Sequence, residues 1–187
     1  ARYPAMVKKL VLVGSGPFQE KYAPRIMQTR LSRLDERERS KVRSILAMLD
    51  QDAPHNADGD GNCEKNRLLA RLGEILSRTD AFDPVECESL AGGAIMPCRA
   101  DIYQSVWKEA EILRQTGEML QLGRKITCPV IAIHGDWDPH PAKGVSEPLQ
   151  ATLRSFQFIL LHDCGHTPWR ERSAKAKFYS ILKDLME

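Results

Sequence analysis

Pro129-Val130-Ile131-Ala132-Ile133-His134-Gly135-Asp136-Trp137-Asp138-Pro139-His140-Pro141 reads as a buried strand that runs into a polar loop. The run from Val130 to Ile133 is apolar without alternation. That is the pattern of a strand covered on both faces, as in a parallel sheet packed between helices. Two other stretches are of the same kind. Val7 to Gly14 (VKKLVLVG) ends at Gly14-Ser15-Gly16-Pro17. Phe156 to His162 (FQFILLH) runs into Asp163-Cys164-Gly165-His166-Thr167-Pro168-Trp169-Arg170-Glu171.

Between the first two strands the sequence reads helical. Tyr22 to Leu34 is one candidate helix. Asp35, with Glu38 three residues on, has the form of a capping box. Val42, Ile45, Leu46 and Leu49 then follow at helical spacing on one face. Residues 51–63 (QDAPHNADGDGNC) read as a polar loop. Helix returns near Glu64, with Leu68, Leu69, Leu72, Ile75 and Leu76 inward. Asp83-Pro84 and Ala91-Gly92-Gly93 mark a break, and Ile102 to Leu122, rich in Glu, Leu and Gln, again reads helical. A short helix separates the second and third strands. A last one, Ser173 to Met186, turns Ala174, Phe178, Ile181, Leu182 and Leu185 to one side. Strands alternating with helices predict an α/β fold with a parallel sheet, whose ligands bind beyond the C-terminal strand ends.

The bulk composition narrows the function. The 187 residues carry 27 basic and 25 acidic side chains, interspersed, for a net charge of +2. No basic stripe points to nucleic acid or to an anionic membrane. The apolar runs are strand-sized, far short of the roughly 20 residues of a spanning helix. The five cysteines are odd in number and form no C-x-x-C pair, so a reducing cytoplasm is the expected compartment. Nothing in the sequence requires a cofactor. The chain begins Ala1-Arg2-Tyr3-Pro4, which reads as the last turn of a helix with proline just past its end.

The strand-end loops hold the chemistry. Adjacent parallel strands lie about 5 Å apart, so a carboxylate in the loop after the second strand can meet a histidine in the loop after the third. Such a carboxylate would bond the imidazole Nδ1–H, fix the tautomer and leave the other ring nitrogen free as a base. Gly135-Asp136-Trp137-Asp138-Pro139 resembles the acid loop of the α/β-hydrolases, and Gly165-His166-Thr167-Pro168-Trp169-Arg170-Glu171 resembles their histidine loop. Ala1 to Gly14 is similar to the helix end and strand that follow the nucleophile elbow. The resemblance covers both ends of the chain well and the middle loosely.

The resemblance implies the C-terminal half of an α/β-hydrolase fold. Residues 1–17 would hold the core strand after the elbow helix, 18–125 a helical lid, and 126–187 the C-terminal core. It implies Asp138 as catalytic acid and His166 as catalytic histidine, in the family's order of nucleophile, acid, histidine. No G-x-S-x-G is present, and in Val13-Gly14-Ser15-Gly16-Pro17 no helix follows the serine. The nucleophile and oxyanion loop are therefore expected about 15–20 residues or more upstream of Ala1. The implied activity is a serine-type hydrolase of an ester, amide or related acyl bond in a small molecule. The alternative is a non-catalytic relative that exposes Leu10 to Val13 as a sheet edge. Such a chain would pair with a second copy or with an N-terminal complementing segment.

Other readings of the same residues are weaker. Asp136 is the rival acid within the loop, and a turn aspartate before proline is the plain alternative for Asp138. For His166 the plain alternative is a helix-start histidine satisfied by backbone. His162, Cys164 and His166 alternate as metal ligands might, but no fourth ligand presents itself, so no metal is expected. Asn56 to Gly61 looks like the start of a calcium loop, yet its twelfth position is Arg67 where a bidentate glutamate is needed. Gly14-Ser15-Gly16 lacks the third glycine of a dinucleotide fingerprint. Trp137 and Trp169 flank the acid and the histidine and are candidates for substrate contact, whereas Trp107, on a helix, suits a core.

Overall fold

A computed structural model describes residues 3–50, 60–85 and 98–187. Three strands, β1 (Leu10–Val13), β2 (Val130–Gly135) and β3 (Phe156–Leu161), form one parallel sheet in that order. Leu10 pairs with Val130, and Val130 with Phe156. The first strand is shorter than Val7 to Gly14 because its ladder begins only where Leu10 N–H reaches Pro129 O, at 3.0 Å.

β2 is buried along its whole length. Its alternate side chains go to opposite faces. Ile131 and Ile133 pack with Phe178, Ile181, Leu182 and Leu185 of the C-terminal helix α7 (Lys175–Met186). Val130 and Ala132 pack with Val145 and Leu149 of α6 (Lys143–Thr152). Each such buried Val, Ile or Leu stabilises by roughly 1.5–3 kcal/mol. This two-sided cover is why the strand tolerates no polar residue before His134.

The helices between β1 and β2 are α1 (Ala23–Ser32), α2 (Glu36–Asp50), α3 (Asp60–Thr79), α4 (Ala100–Gln115) and α5 (Glu118–Gly123). Leu34, Val42, Ile45, Leu49, Leu72, Ile75 and Leu76 form a core of their own there. Asp35 caps α2, accepting from Glu38 N–H at 2.8 Å. The reciprocal half of the capping box is missing, because the Glu38 carboxylate reaches Arg78 instead, at 2.7 Å.

Two sequence expectations need correction. The helical stretch Ile102 to Leu122 is divided into two helices, because Gly117 adopts a left-handed conformation, φ 76°, and ends α4. α3 starts at Asp60, so residues 60–63 are helix rather than loop. Pro4 opens a single 3-10 turn, Pro4–Met6, and the helix end expected before it falls on Ala1 and Arg2, outside the described residues. The remainder of the expected polar loop (51–59) and Ala91-Gly92-Gly93 lie outside the described residues. Among the described residues no helix is long and apolar enough to cross a membrane.

Candidate functional site

The loop after β2 is fixed by the residue types it contains. Asp138 folds back on its own backbone: its Oδ1 accepts from His140 N–H, two residues on, at 2.9 Å, the turn that aspartate favours. Trp137 N–H donates to Cys164 O and Asp136 N–H to Leu161 O, both at 2.9 Å, tying this loop to the one after β3. Asp138 is thereby buried with its carboxylate aimed across the strand ends. Its Oδ1 also accepts from the ring Nδ1 of His140, at 2.7 Å. Its Oδ2 accepts from Nδ1 of His166, at 2.9 Å.

His166 owes its position to its neighbours. Asp163 takes a left-handed conformation, φ 52°, with its carbonyl held by Ser173 Oγ at 2.8 Å. Gly165 N–H donates to Glu171 Oε1 at 2.9 Å, and His166 N–H donates to Asp80 O at 2.7 Å. A Cβ on Gly165 would collide with Asp80 O and Glu171 Oε1, so glycine is required there by close approach. Glu171, fully buried, also accepts from Phe82 N–H (2.9 Å) and Asp83 N–H (2.8 Å). Its carboxylate thus clamps the histidine loop to residues 80–83 of the helical insertion. Gly14, at the end of β1, closes the third side: a Cβ there would lie 2.6 Å from His166 O and 3.1 Å from its Nδ1.

Charge follows from this geometry. Burial alone would raise the Asp138 carboxyl, but the bonds from His140 and His166 outweigh it and hold it well below the usual carboxylate range. The hydrogen bond to Asp138 holds the His166 imidazole above its ordinary value against the opposing effect of burial. An ionised carboxylate only accepts, so His166 carries its proton on Nδ1 and a lone pair on Nε2. That ring can take a proton on Nε2 with Asp138 stabilising the resulting cation. Burial lowers His134, whose Nε2 lies 2.8 Å from His140 O and whose Nδ1 has no partner.

One carboxylate oxygen and two imidazole nitrogens of Asp138, His140 and His166 lie within 4.8 Å of one another, a spacing that a transition-metal ion could bridge. Both Nδ1 atoms point instead at the carboxylate oxygens, the arrangement of a hydrogen-bonded network.

The other residues singled out by sequence fall elsewhere. Asp136 accepts from His162 Nδ1 at 3.0 Å and Cys164 N–H at 3.3 Å, away from His166. Cys164 is buried, its thiol pushed up to about 12 by burial and nearby carboxylates, and His162, Cys164 and His166 do not form a ligand cluster among the described residues. Trp137 stacks beneath the Arg33 guanidinium, 4.1 Å from the ring centre, and edges on Phe82. It lines a cavity of about 250 Å³ with Arg33, Leu34, Thr79, Ala81 and Phe82. Trp169 rests against Phe178 of α7, and Trp107 is half exposed beside Tyr103. Sequence reasoning gave no role to His140, Glu171 or Asp80. The aspartate turn at Asp138 was the available signal for His140, since it brings residue i+2 back onto the carboxylate.

These features define an α/β protein with an acid–histidine pair at the C-terminal ends of parallel strands. No protein-family model and no curated protein sequence matches the chain. Solved structures do. An acetylester hydrolase from Corynebacterium glutamicum superposes with a TM-score of 0.56 at 12% identity, over 98% of this chain and 55% of that one. VinJ gives 0.53 at 13% identity, over 98% and 58%. A proline iminopeptidase from Mycobacterium smegmatis gives 0.52 at 14% identity, over 98% and 58%. The chain has the α/β-hydrolase fold and spans a little over half the length of these proteins.

Proposed function

We propose that this chain supplies the acid and the base of a serine-type hydrolase acting on an ester, amide or related acyl bond of a small molecule. The observation that carries the reading is the 2.9 Å contact between Asp138 Oδ2 and His166 Nδ1 at the ends of neighbouring strands. His166 Nε2 takes the proton of a serine supplied by sequence outside this chain as that serine attacks the acyl carbon. The protonated ring, held by Asp138, then gives the proton to the leaving group. Water repeats the two transfers to release the acid. The helical segment 18–125 acts as a lid, and Trp137 and Trp169 are its companions in substrate contact; the reading for Trp137 is supported by the cavity it lines with Arg33 and Phe82. Cys63, Cys98, Cys128 and Cys164 are all free thiols, which suits a reducing cytoplasm.

A second reading rests on β1. Among the described residues it pairs only with β2, and its other edge is open. A non-catalytic chain would use that edge to bind a second copy or a complementing N-terminal segment.

Labelling of the protein with a fluorophosphonate, followed by peptide mapping, tests the first reading. The expected adduct is on a serine preceding Ala1, and His166→Ala should slow labelling by about 10³-fold or more. An adduct on Ser15 would overturn the assignment of the nucleophile. No adduct on a folded protein would overturn the serine mechanism and favour the second reading.

A further inference from the structure

Two imidazoles share the Asp138 carboxylate. His140 Nδ1 lies 2.7 Å from Oδ1 and His166 Nδ1 lies 2.9 Å from Oδ2. The carboxylate has no proton to give, so each Nδ1 must carry its own. The ring centres are 4.6 Å apart with planes at 29°, so the rings stand side by side on one flank of the carboxylate. In each ring Nε2 lies on the edge away from Nδ1, hence away from Asp138.

His140 is itself held firmly. It is buried, its N–H donates to Asp138 Oδ1 at 2.9 Å, and its carbonyl accepts from His134 Nε2 at 2.8 Å. Oδ1 therefore takes two donors. Oδ2 takes one, with His134 Nε2 standing off at 3.7 Å. A carboxylate so loaded cannot turn about its Cβ–Cγ bond without giving up both bonds to Oδ1.

We propose that His140 is a positioning residue for His166: by filling Asp138 Oδ1 it keeps Oδ2 on His166 Nδ1 and leaves His166 Nε2 bare. The inference rests on the reading of His166 as the base. It also gives His140 a measurable influence on the titration of His166. The groups acting on that ring are Asp138 and Asp80, which favour its charged form, and Arg30, which opposes it. The stacked His140 ring and the nearby His134 complete the set. The His140 Nδ1–H draws carboxylate charge towards Oδ1. Removing it leaves more of that charge for His166, which should then hold its proton to higher pH.

Nitrogen-15 NMR of the protein with labelled histidines tests this. In the unaltered protein both His140 and His166, when neutral, should show the Nδ1–H tautomer. His140→Phe should raise the pKa of His166 by about half a unit. His140→Asn, whose amide nitrogen occupies the place of Nδ1, should return it to its original value. A purely structural role would not separate the two variants. A neutral His140 protonated on Nε2 overturns the proposal, and that result needs no variant to fold. An unmoved His166 in folded His140→Phe also overturns it, as does an Asn variant that shifts as far as the Phe variant. Absence of fluorophosphonate labelling in a protein whose histidines behave as expected counts against the hydrolase reading alone.

Discussion

Asp138 is tolerated as a buried charge because three donors are aimed at it. That makes stability depend on pH from both ends of one interaction. The folded Asp138 titrates below its ordinary 3.8, so its contribution is present above that value and is lost as pH falls through the folded one. The folded His166 titrates above its ordinary 6.5, so its contribution is complete below 6.5 and is lost as pH rises through the folded value. Both are in force between about pH 4 and 6.5. Urea midpoints measured across that range and beyond should fall on each side for the unaltered protein and change less for Asp138→Asn. A flat profile for the unaltered protein would contradict the network. Glu171 offers a second test at this scale. Glu171→Ala strands the N–H groups of Phe82, Asp83 and Gly165, with an expected cost of about 3 kcal/mol or more in urea unfolding. A loss under about 1 kcal/mol would show that the loop is held otherwise.

Between elements, the tie that places the histidine loop runs through α1. Arg30 donates from Nε and a terminal nitrogen to both oxygens of Asp80, at 2.8 and 2.6 Å, and Asp80 O receives His166 N–H. The pair is largely buried, at 18% and 13% exposure. Arg30→Met would leave the Asp80 charge uncompensated and should cost roughly 2–3 kcal/mol, less than a fully buried pair. In a double-mutant cycle with Asp80→Asn the two losses should not add; additive losses would mean that the contact contributes nothing. Glycines on different elements should respond in opposite directions. In α3, Gly73 has nothing within 4 Å of an added Cβ, so Gly73→Ala should stabilise by about 0.5–1 kcal/mol. Gly135, in β2, would drive a Cβ into Cys164 and Gly165 carbonyl oxygens, and Gly135→Ala should prevent stable folding. Thermal melts of the two variants check both.

At the scale of the molecule, the sheet is open at β1 among the described residues. Leu10 N–H bonds to Pro129 O, just before β2, and Gly14 N–H to Ile133 O on it. Alternation along the strand therefore turns the N–H groups of Val11 and Val13 outward. If the edge pairs with a second copy, the protein should run as a dimer in sedimentation velocity, and Val11→Pro, which removes an outward donor, should shift it towards monomer. A monomer at high concentration would rule out self-pairing and leave an N-terminal segment as the remaining occupant.

The sequence by itself determined the layout. Val130 to Ile133 was legible as a strand because burial on both faces removes polar alternation. Phe156 to His162 was legible from its apolar run, although Gln157 and Leu160 stay exposed and β3 is not covered on both faces as expected. Asp138 and His166 were legible because each follows a strand end. The face of α2 was equally plain from the spacing of Val42, Ile45 and Leu49. What only the tertiary structure decided was which groups converge. Glu171 closed the stretch that resembles a histidine loop but carried no role of its own, and its three N–H donors come from residues about 90 and 6 positions away. Gly117 divided a stretch whose composition reads helical on both sides of it, because propensity signals are local and a left-handed residue is not fixed by its neighbours' polarity. His140 lay in view two residues beyond Asp138. That it shares the carboxylate with His166 follows only once two loops, 28 residues apart in sequence, are brought together by adjacent strands.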